Sequence, residues 1–370
     1  MKIRPFELER YFTRYEFTSE YLLSSSDCES LSLNEVLQMA DAETHYLWEN
    51  LKLGYTESTG HPKLKEEIVR LHTTISPGEI NVLVPEEGIF VAMNCLLEKG
   101  DHVISTFPGY QSLFEIAHSL GCEVSKWTPE NKNGWQFDLE KLKALVQKNT
   151  KLIVINFPHN PTGATISEKD LLEIIALCRQ NNIFLFSDEM YRFLEYNPDD
   201  RLPSASDLYQ NTVSLFGLSK SFALPGLRIG WLTSKNKKLM QEFALFKDYT
   251  TICNNAPGEI LSIIALRNKE KIFKRNLKII SENLETLNSF FKKYDSLFEW
   301  KSPKAGPIAF SELKTKTGIQ QFCLDLAEQK SVMLLPSSVY GFPGNYFRIG
   351  FARKNMKEAL EKLEEFILKN

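Results

Sequence analysis

The sequence has few residues of the kinds that hold metal ions or form disulfide frameworks. Its 370 residues include only six cysteines and six histidines. The cysteines stand singly, with no Cys-x-x-Cys pair, and the histidines form no cluster. This spacing excludes the common patterns of a zinc site. We therefore expect no metal centre, and we expect the cysteines to be reduced thiols.

Long hydrophobic runs and a strong excess of charge are also missing. No apolar run approaches the roughly 18 residues that a membrane-spanning helix needs, and residues 1–10 interleave charged with apolar side chains instead of forming an apolar signal segment. Lys and Arg number 44 against 47 Asp and Glu, a net charge of −3. We therefore expect a cytoplasmic protein with neither nucleic acid nor a membrane as its partner.

The composition is that of a globular protein, with 43% hydrophobic and 25% charged residues. At about 150 residues per domain, the length predicts two domains. Residues 63–213 alternate helical patterns with β-rich runs, which is typical of a doubly wound α/β domain with a mainly parallel sheet. The predicted strands are 80–84, 102–106, 123–126, 152–157, 183–187, 212–216 and 229–233, and the predicted helices between them are 88–97, 111–120, 139–146 and 168–180.

After residue 235 the pattern changes to a charge-rich helical region that runs to residue 294, with breaks near 254–257. A smaller α+β unit follows, with predicted strands 298–302, 307–310, 332–335 and 346–351 and a closing helix 356–368. No repeat and no low-complexity linker separates the parts. The predicted division is an N-terminal arm with part of the small domain (1–40), a large domain (41–265) and a small domain (266–370).

Three short segments carry candidate chemistry. Lys220 stands among small and apolar residues after a predicted strand, where a lysine can act as an amine nucleophile. Asp188 and Tyr191 follow the strand 183–187, at the end where open α/β sheets bind ligands. Asn160 opens the segment Asn-Pro-Thr-Gly. Taken singly, each has an ordinary alternative, namely a surface lysine, a helix cap and a turn.

Together with further motifs in the same order, these segments resemble the class I/II aminotransferases of the aspartate aminotransferase superfamily, which are fold-type I pyridoxal-phosphate enzymes. The resemblance covers almost the whole chain. It implies a large domain with a mainly parallel seven-stranded sheet between helices, plus a small α+β domain. The matching residues are Tyr55 with Gly60, Phe107-Pro-Gly-Tyr110, Asn160-Pro-Thr-Gly163, Asp188 with Tyr191, Ser219-Lys220 with Arg228, and Tyr346-Phe-Arg-Ile-Gly350.

The resemblance implies a role for each of these residues around pyridoxal 5′-phosphate. Lys220 would form the Schiff base and carry a proton between the substrate α-carbon and the cofactor. Asp188 would stay ionised beside the pyridine nitrogen and make the ring an electron sink. Tyr191 and Asn160 would hydrogen-bond the phenolic oxygen, and Tyr110 would stack on the ring.

At the two anionic ends, the resemblance assigns Arg228 to the cofactor phosphate, and Arg348 with Asn160 to the substrate α-carboxylate. Ser219 or Ser221 is a further candidate donor to the phosphate. Tyr55 would reach the phosphate of a neighbouring subunit, which implies a homodimer. The substrate side chain would contact residues 23–33 of the arm. The expected small-molecule partners are an amino acid and a 2-oxo acid.

The sequence departs from the family at the predicted phosphate site. The turn there reads Val84-Pro-Glu-Glu-Gly88, so that Pro85 lacks an N–H and the phosphate must use the backbone N–H groups of Glu86 and Glu87. Gly217 stands where relatives commonly have a hydroxyl residue, which removes one donor.

The unusual turn resembles a subgroup that includes capreomycidine synthase-like enzymes, which act by β-elimination and ring closure on an arginine derivative. Glu29, Glu86 and Glu87 are then candidates to receive a cationic substrate side chain. The leading hypothesis is an aminotransferase. The alternatives are elimination, cyclisation or oxidation of an arginine-like amino acid and, more remotely, a non-catalytic regulatory module, although the arm before residue 34 is too short for a winged helix.

Overall fold

Two sheets with helices packed around them organise the chain. The computed structural model describes residues 2–131 and 134–369. The larger sheet has seven strands in the order β1-β7-β6-β5-β4-β2-β3. β7 runs antiparallel to both of its neighbours, and all other pairs are parallel. Its strands are β1 (Ile80–Leu83), β2 (His102–Thr106), β3 (Glu123–Trp127), β4 (Thr150–Asn156), β5 (Phe184–Asp188), β6 (Thr212–Gly217) and β7 (Gly230–Thr233).

This sheet confirms the predicted mainly parallel α/β fold. The helices of the described residues are α1 (Glu7–Tyr15), α2 (Leu33–Leu37), α3 (Ala42–Glu49), α4 (Pro62–Val69), α5 (Pro85–Leu96), α6 (Ser112–Leu120), α7 (Leu139–Leu145), α8 (Glu168–Asn181), α9 (Ala205–Leu208), α10 (Lys237–Lys247), α11 (Ala256–Arg267), α12 (Lys269–Lys293), α13 (Ile319–Lys330) and α14 (Met356–Ile367). In this part of the chain, no helix combines the length and the apolar character that crossing a bilayer requires.

Capping residues and proline set the ends of the helices. α8 starts at a capping box in which Ser167 and Asp170 satisfy each other's backbone N–H groups, and Asn182, the residue after its end, takes the left-handed conformation. α5 begins at Pro85, three residues before the predicted start, because proline fits the first helical position, where an N–H has no partner in the helix. The residues between β6 and β7 include Lys220.

The smaller sheet has four antiparallel strands in the order β10-β11-β9-β8: β8 (Phe298–Glu299), β9 (Ile308–Leu313), β10 (Leu335–Pro336) and β11 (Tyr346–Gly350). Two predicted strands are shorter than expected. The predicted strand 332–335 contributes only its last residue to β10, because Val332 forms a parallel bridge to Tyr21 and the Met333 N–H donates to the Tyr21 carbonyl. The predicted strand 298–302 ends at Glu299, after which Lys304 turns toward the Gly163 carbonyl.

The N-terminal arm, residues 2–40 of the described chain, joins the two sheets. Its Leu23 carbonyl accepts a hydrogen bond from the Gly350 N–H of β11 at 2.7 Å, and its Leu31 N–H donates to the Ala223 carbonyl near the end of β6. Leu23 also lies in the apolar core that α12 and α14 form beneath the smaller sheet. These contacts support the predicted domain division, which we keep as a proposal.

Candidate active site

A cavity of about 410 Å³ lies at the carboxyl-terminal edge of the larger sheet, between that sheet, the start of α5, β11 and the arm. Because the parallel strands all end at this edge, residues distant in sequence come together there. Nine of the predicted site residues line the cavity: Glu86, Tyr110, Asn160, Asp188, Tyr191, Ser219, Lys220, Arg228 and Arg348.

Lys220 follows β6, and its side chain enters the cavity. Its Nζ donates a hydrogen bond to Oγ of Ser26 in the arm at 2.8 Å. Burial lowers the pKa of the Lys220 amine, although the Asp27 carboxylate acts in the opposite direction. A lowered pKa increases the share of neutral amine, which is the form that attacks a carbonyl carbon.

Asp188 is the last residue of β5 and is only 6% exposed. Its Oδ1 accepts a hydrogen bond from the Met190 N–H at 3.1 Å. Burial raises the pKa of the Asp188 carboxyl to about 7, and the nearby Lys220 only partly opposes this rise. A carboxylate in this position is therefore stabilised by a cation placed beside it.

Asn160 is fixed to the end of β4 through backbone and amide groups. Its N–H donates to Oδ1 of Asn156 at 2.8 Å, and Nδ2 of Asn156 donates to the Asp188 carbonyl at 3.1 Å. The hydroxyl of Tyr191 is buried and has no hydrogen-bond partner among the described residues. Ser26 lies near it and acts to lower its pKa. Burial raises the pKa of Tyr191, so that its hydroxyl keeps the proton and is available as a donor.

Glu86 and Tyr110 form the wall beside the start of α5. The Glu86 carboxylate accepts a hydrogen bond from the Ser112 hydroxyl. Burial raises the pKa of Glu86, and burial followed by the Glu86 charge raises that of Tyr110. The carboxylate of Glu86 near the phosphate site is thus hydrogen-bonded by the Ser112 hydroxyl.

Arg348 lies on β11 and is 1% exposed. Its Nε and Nη2 donate to the Ser24 carbonyl at 3.2 and 2.6 Å, while its Nη1 donates to Tyr340 Oη at 2.8 Å and to Asn160 Oδ1 at 3.2 Å. Among the described residues, no carboxylate forms an ion pair with Arg348. The guanidinium is therefore a buried cation with neutral partners, suited to receive an anion.

Comparisons with known proteins show which family the chain belongs to. The sequence pattern of the family "Aminotransferase class I and II" matches residues 20–363. The chain belongs to this family. The aspartate aminotransferase of Pyrococcus horikoshii is 29% identical over 326 residues, which cover 84% of this chain and 82% of the relative. Capreomycidine synthase of Streptomyces vinaceus is 26% identical over 312 residues, with coverage of 82% and 79%.

Solved structures of the aminotransferase family confirm the fold-type I architecture. A PLP-dependent aminotransferase from Streptococcus suis superposes with a TM-score of 0.93 at 31% identity, covering 100% of this chain and 99% of that one. The PLP-dependent cyclase OrfR superposes with a TM-score of 0.91 at 25% identity, covering 100% and 98%. The cofactor of this aminotransferase-family protein is pyridoxal 5′-phosphate.

The cavity of this aminotransferase-family chain fits that cofactor at three points. The unpartnered Tyr191 hydroxyl matches the phenolic oxygen, and the buried Asp188 carboxyl matches the protonated ring nitrogen. At the phosphate end, Arg228 lies in the left-handed conformation at φ 53°, with Nη1 on the Pro225 carbonyl at 2.9 Å. The left-handed conformation strains the backbone of a non-glycine residue, and such strain is common at functional sites.

Pro85 and Gly217, the two departures from the family sequence at the phosphate end, belong to one packing arrangement. A Cβ added at Gly217 would lie 2.9 Å from the Gly230 Cα and 3.1 Å from Pro85 Cγ, and a Cβ at Gly230 would lie 2.7 Å from Pro85 Cγ. The Pro85 ring therefore fills the space that a hydroxyl side chain at position 217 would need. The remaining candidate donors are Ser219, Arg228 and the first N–H groups of α5.

Three predicted residues lie outside the cavity. The Glu87 carboxylate accepts from the hydroxyls of Thr250 and Thr251, the latter at 2.7 Å, and points away from the site. Glu29 accepts from the Lys354 N–H at 3.1 Å. Tyr55 is 91% exposed, so it does not reach the cavity of its own chain.

Residues 23–33 were predicted to lie near the substrate, but Glu29 was the one residue among them with a predicted role. Ser24, Ser26, Asp27 and Tyr340 were missed. The Ser24-Ser25-Ser26-Asp27 run has no periodicity, and its partners Lys220 and Arg348 lie almost 200 or more residues away along the chain. A run of polar residues in a family-typical substrate segment was the one available signal. The described residues bring together no three His, Cys, Asp or Glu side chains as a metal site.

The buried Asp188 predicts a distinctive pH dependence of stability. Its pKa rises from 3.8 to about 7 on folding without the cofactor, so the stability from this group is full below about pH 4 and is lost as the pH rises through 7. In urea unfolding without cofactor, we expect Asp188→Asn to be more stable than wild type at pH 8, with a smaller difference at pH 5.

Saturating cofactor should reverse this order at pH 8, because the pyridinium then compensates the Asp188 charge. The exposed Asp199→Asn serves as the control and should leave the pH profile unchanged. Equal pH profiles for Asp188→Asn and wild type would contradict the assignment.

Proposed function

We propose that the protein is an aminotransferase that moves the amino group of an α-amino acid to a 2-oxo acid. The observation that carries this proposal is the convergence of Lys220, Asp188 and Arg348 on one cavity, the first two from strand ends of the larger sheet and the third from the middle of β11 in the smaller sheet. An amine, a buried carboxyl and a buried guanidinium are the groups that the reaction needs at its carbonyl, its ring nitrogen and its carboxylate.

The bound cofactor supplies an electron sink for negative charge at the substrate α-carbon. Lys220 would hold the cofactor through its amine and would carry the proton at the substrate α-carbon. Its lowered pKa suits this task, because a neutral amine accepts a proton. Arg348 binds and orients the α-carboxylate, so that the α-hydrogen faces Lys220. Tyr191 and Asn160 would donate hydrogen bonds to the phenolic oxygen of the bound cofactor.

A second candidate function is elimination or cyclisation on an amino acid with a cationic side chain. Besides Glu86, three carboxyl residues of the N-terminal arm line the cavity: Glu9, Glu16 and Asp27. Burial, followed by the charges of Asp27 and Glu9, raises the pKa of Glu16. A cationic side chain would relieve this repulsion. The likeness to capreomycidine synthase and to the cyclase OrfR supports the same candidate.

The acidic wall differs from the one expected from sequence. Glu29 and Glu87 lie elsewhere, and only Glu86 of the original three borders the cavity. Asp27 is partly neutralised, because Arg353 Nη2 donates to both of its carboxylate oxygens at 3.1 and 3.0 Å. Glu16 is therefore the best single position for testing recognition of a cation.

We also propose a homodimer in which Tyr55 completes the phosphate site of its partner. Leu53, Tyr55 and Tyr249 are each at least 85% exposed. Their segments are joined where the Thr56 hydroxyl donates to the Asn254 carbonyl at 3.2 Å. Large apolar side chains exposed together are typical of a protein interface. The cytoplasmic location stays a prediction from the sequence.

The cofactor linkage can be tested directly. With added pyridoxal 5′-phosphate, we expect a visible absorption band and, after borohydride reduction, a modified peptide that contains Lys220. Lys220→Ala should lose both and at least about 1000-fold in activity, whereas the exposed Lys237→Ala should retain them. Modification at a different lysine, or none, would contradict the proposal.

An amino-acid panel with pyruvate or 2-oxoglutarate then separates the two reactions. Amino transfer to the 2-oxo acid supports the aminotransferase. Ammonia, peroxide or a cyclised product without an acceptor supports the second candidate and overturns the first.

For a cationic substrate, Glu16→Gln should lower kcat/KM for arginine or ornithine about 10-fold, because one partly buried charge pair is lost. The value for alanine should change by less than about 2-fold, and Glu20→Gln, an exposed change in the same arm, should affect neither. A wild-type preference for dicarboxylate or aromatic substrates would exclude this specificity.

The partner role of Tyr55 is testable with mixed dimers. Tyr55→Phe should weaken cofactor binding about 10-fold through loss of one hydrogen bond to a charged group, while the exposed Tyr46→Phe should not. If Tyr55 acts across the interface, mixing Lys220→Ala with Tyr55→Phe subunits creates one intact site and restores tight binding. Failure to restore it, or a monomer in sedimentation, would contradict the proposed dimer.

A further inference from the structure

Tyr340 closes a hydrogen-bonded triangle between Asn160 and Arg348. It lies in the turn Ser337–Tyr340 that precedes β11 and is 5% exposed. Its hydroxyl accepts from Arg348 Nη1 at 2.8 Å and donates to Asn160 Oδ1 at 3.3 Å. Its ring packs edge-on against Phe310, with centroids 6.0 Å apart. This packing places the hydroxyl between the two residues assigned to the substrate carboxylate.

The triangle determines which end of the Asn160 amide faces the cavity. Arg348 Nη1 can only donate, and it occupies the Tyr340 hydroxyl as an acceptor, so the Tyr340 proton is directed to Asn160. Both neighbours thus offer hydrogens to the same amide atom. That atom must be Oδ1, and Nδ2 is left as the donor on the cavity side.

Arg348 alone would hold this orientation less securely. Its five N–H groups already make four contacts, two to Ser24 and one each to Tyr340 and Asn160. One N–H is left over, so a carboxylate that accepts two hydrogen bonds from Arg348 must also share or take one of the longer contacts, such as the one to Asn160 at 3.2 Å. Tyr340 would then be the donor that still holds Asn160 Oδ1.

We propose that Tyr340 is a positioning residue that keeps the Asn160 amide turned as a donor to the cofactor's phenolic oxygen, and that keeps it so while Arg348 binds the substrate carboxylate. This inference rests on the proposed function for the role of Arg348. It assigns a task to the Tyr340 hydroxyl alone, because the ring packs equally well without it.

The test is Tyr340→Phe, with visible titration of the Lys220–cofactor Schiff base as the main measurement. A phenolic oxygen that loses a donor holds the imine proton more tightly. We expect the titration midpoint to rise by about 0.5–1 pH unit, as for one neutral hydrogen bond. The KM for the amino acid should rise about 3- to 10-fold, with a smaller change in kcat.

Two further variants separate positioning from a general structural effect. Tyr209→Phe removes another buried hydroxyl, which donates to the Ile183 carbonyl at 3.2 Å away from the cavity, and should leave the midpoint unchanged. In an Asn160→Ala background, Tyr340→Phe should cause no further rise, because the two residues act through one contact. Thermal unfolding of each variant checks that it is folded.

An unchanged midpoint in Tyr340→Phe, or an equal additional rise in the Asn160→Ala background, would overturn the inference. The titration needs the Schiff base but no amino transfer, so a shifted midpoint in a protein without transfer supports Tyr340 and overturns only the proposed reaction. A wild-type protein that forms no Schiff base would overturn both.

Discussion

The Ser24 carbonyl oxygen accepts hydrogen bonds from two nitrogens of the buried Arg348, and the form of the cavity depends on this contact. It is possible because the arm lies directly against β11, where Gly350 has no side chain. A Cβ at that position would lie 1.9 Å from the Ser25 carbonyl oxygen, so any other residue must displace the arm. The same docking places Ser26 on Lys220. One backbone approach thus brings the arm to both the amine and the guanidinium.

The phosphate end depends on a comparable close approach. Pro85 starts α5 and packs its ring over Gly217 and Gly230, two residues of neighbouring antiparallel strands. The helix start therefore lies closer to the sheet than a side chain at position 217 allows. The chain thus lacks a hydroxyl donor at position 217 and instead has the start of α5 packed closely against β6 and β7. Backbone N–H groups at such a terminus bind anions without side-chain entropy loss, so the exchange keeps the site suited to a phosphate.

The larger sheet and the residues at its edge could be predicted because their signals are local. Alternating strands and helices impose one topology, and that topology places Asp188 and Lys220 at the same edge. The smaller sheet was less predictable, since Val332 pairs with Tyr21, over 300 residues earlier. Tyr340 gives no local signal at all. Its role arises from two partners that only the folded chain brings within hydrogen-bonding distance.

The charges of the cavity suggest an order of recognition. Asp188 and Arg348 are both buried, and their direct hydrogen-bond partners among the described residues are neutral groups. Folding has therefore already removed much of their hydration, which is costly until an opposite charge arrives. A pyridinium compensates the first and an α-carboxylate the second. Under the proposed function, a cavity without either ligand charge would keep one buried group uncompensated, so Arg348 would favour a carboxylate ligand whatever its side chain. The carboxyl groups of Glu9 and Glu16 line the arm side of the same cavity, where, under the second proposed function, they would meet the substrate side chain.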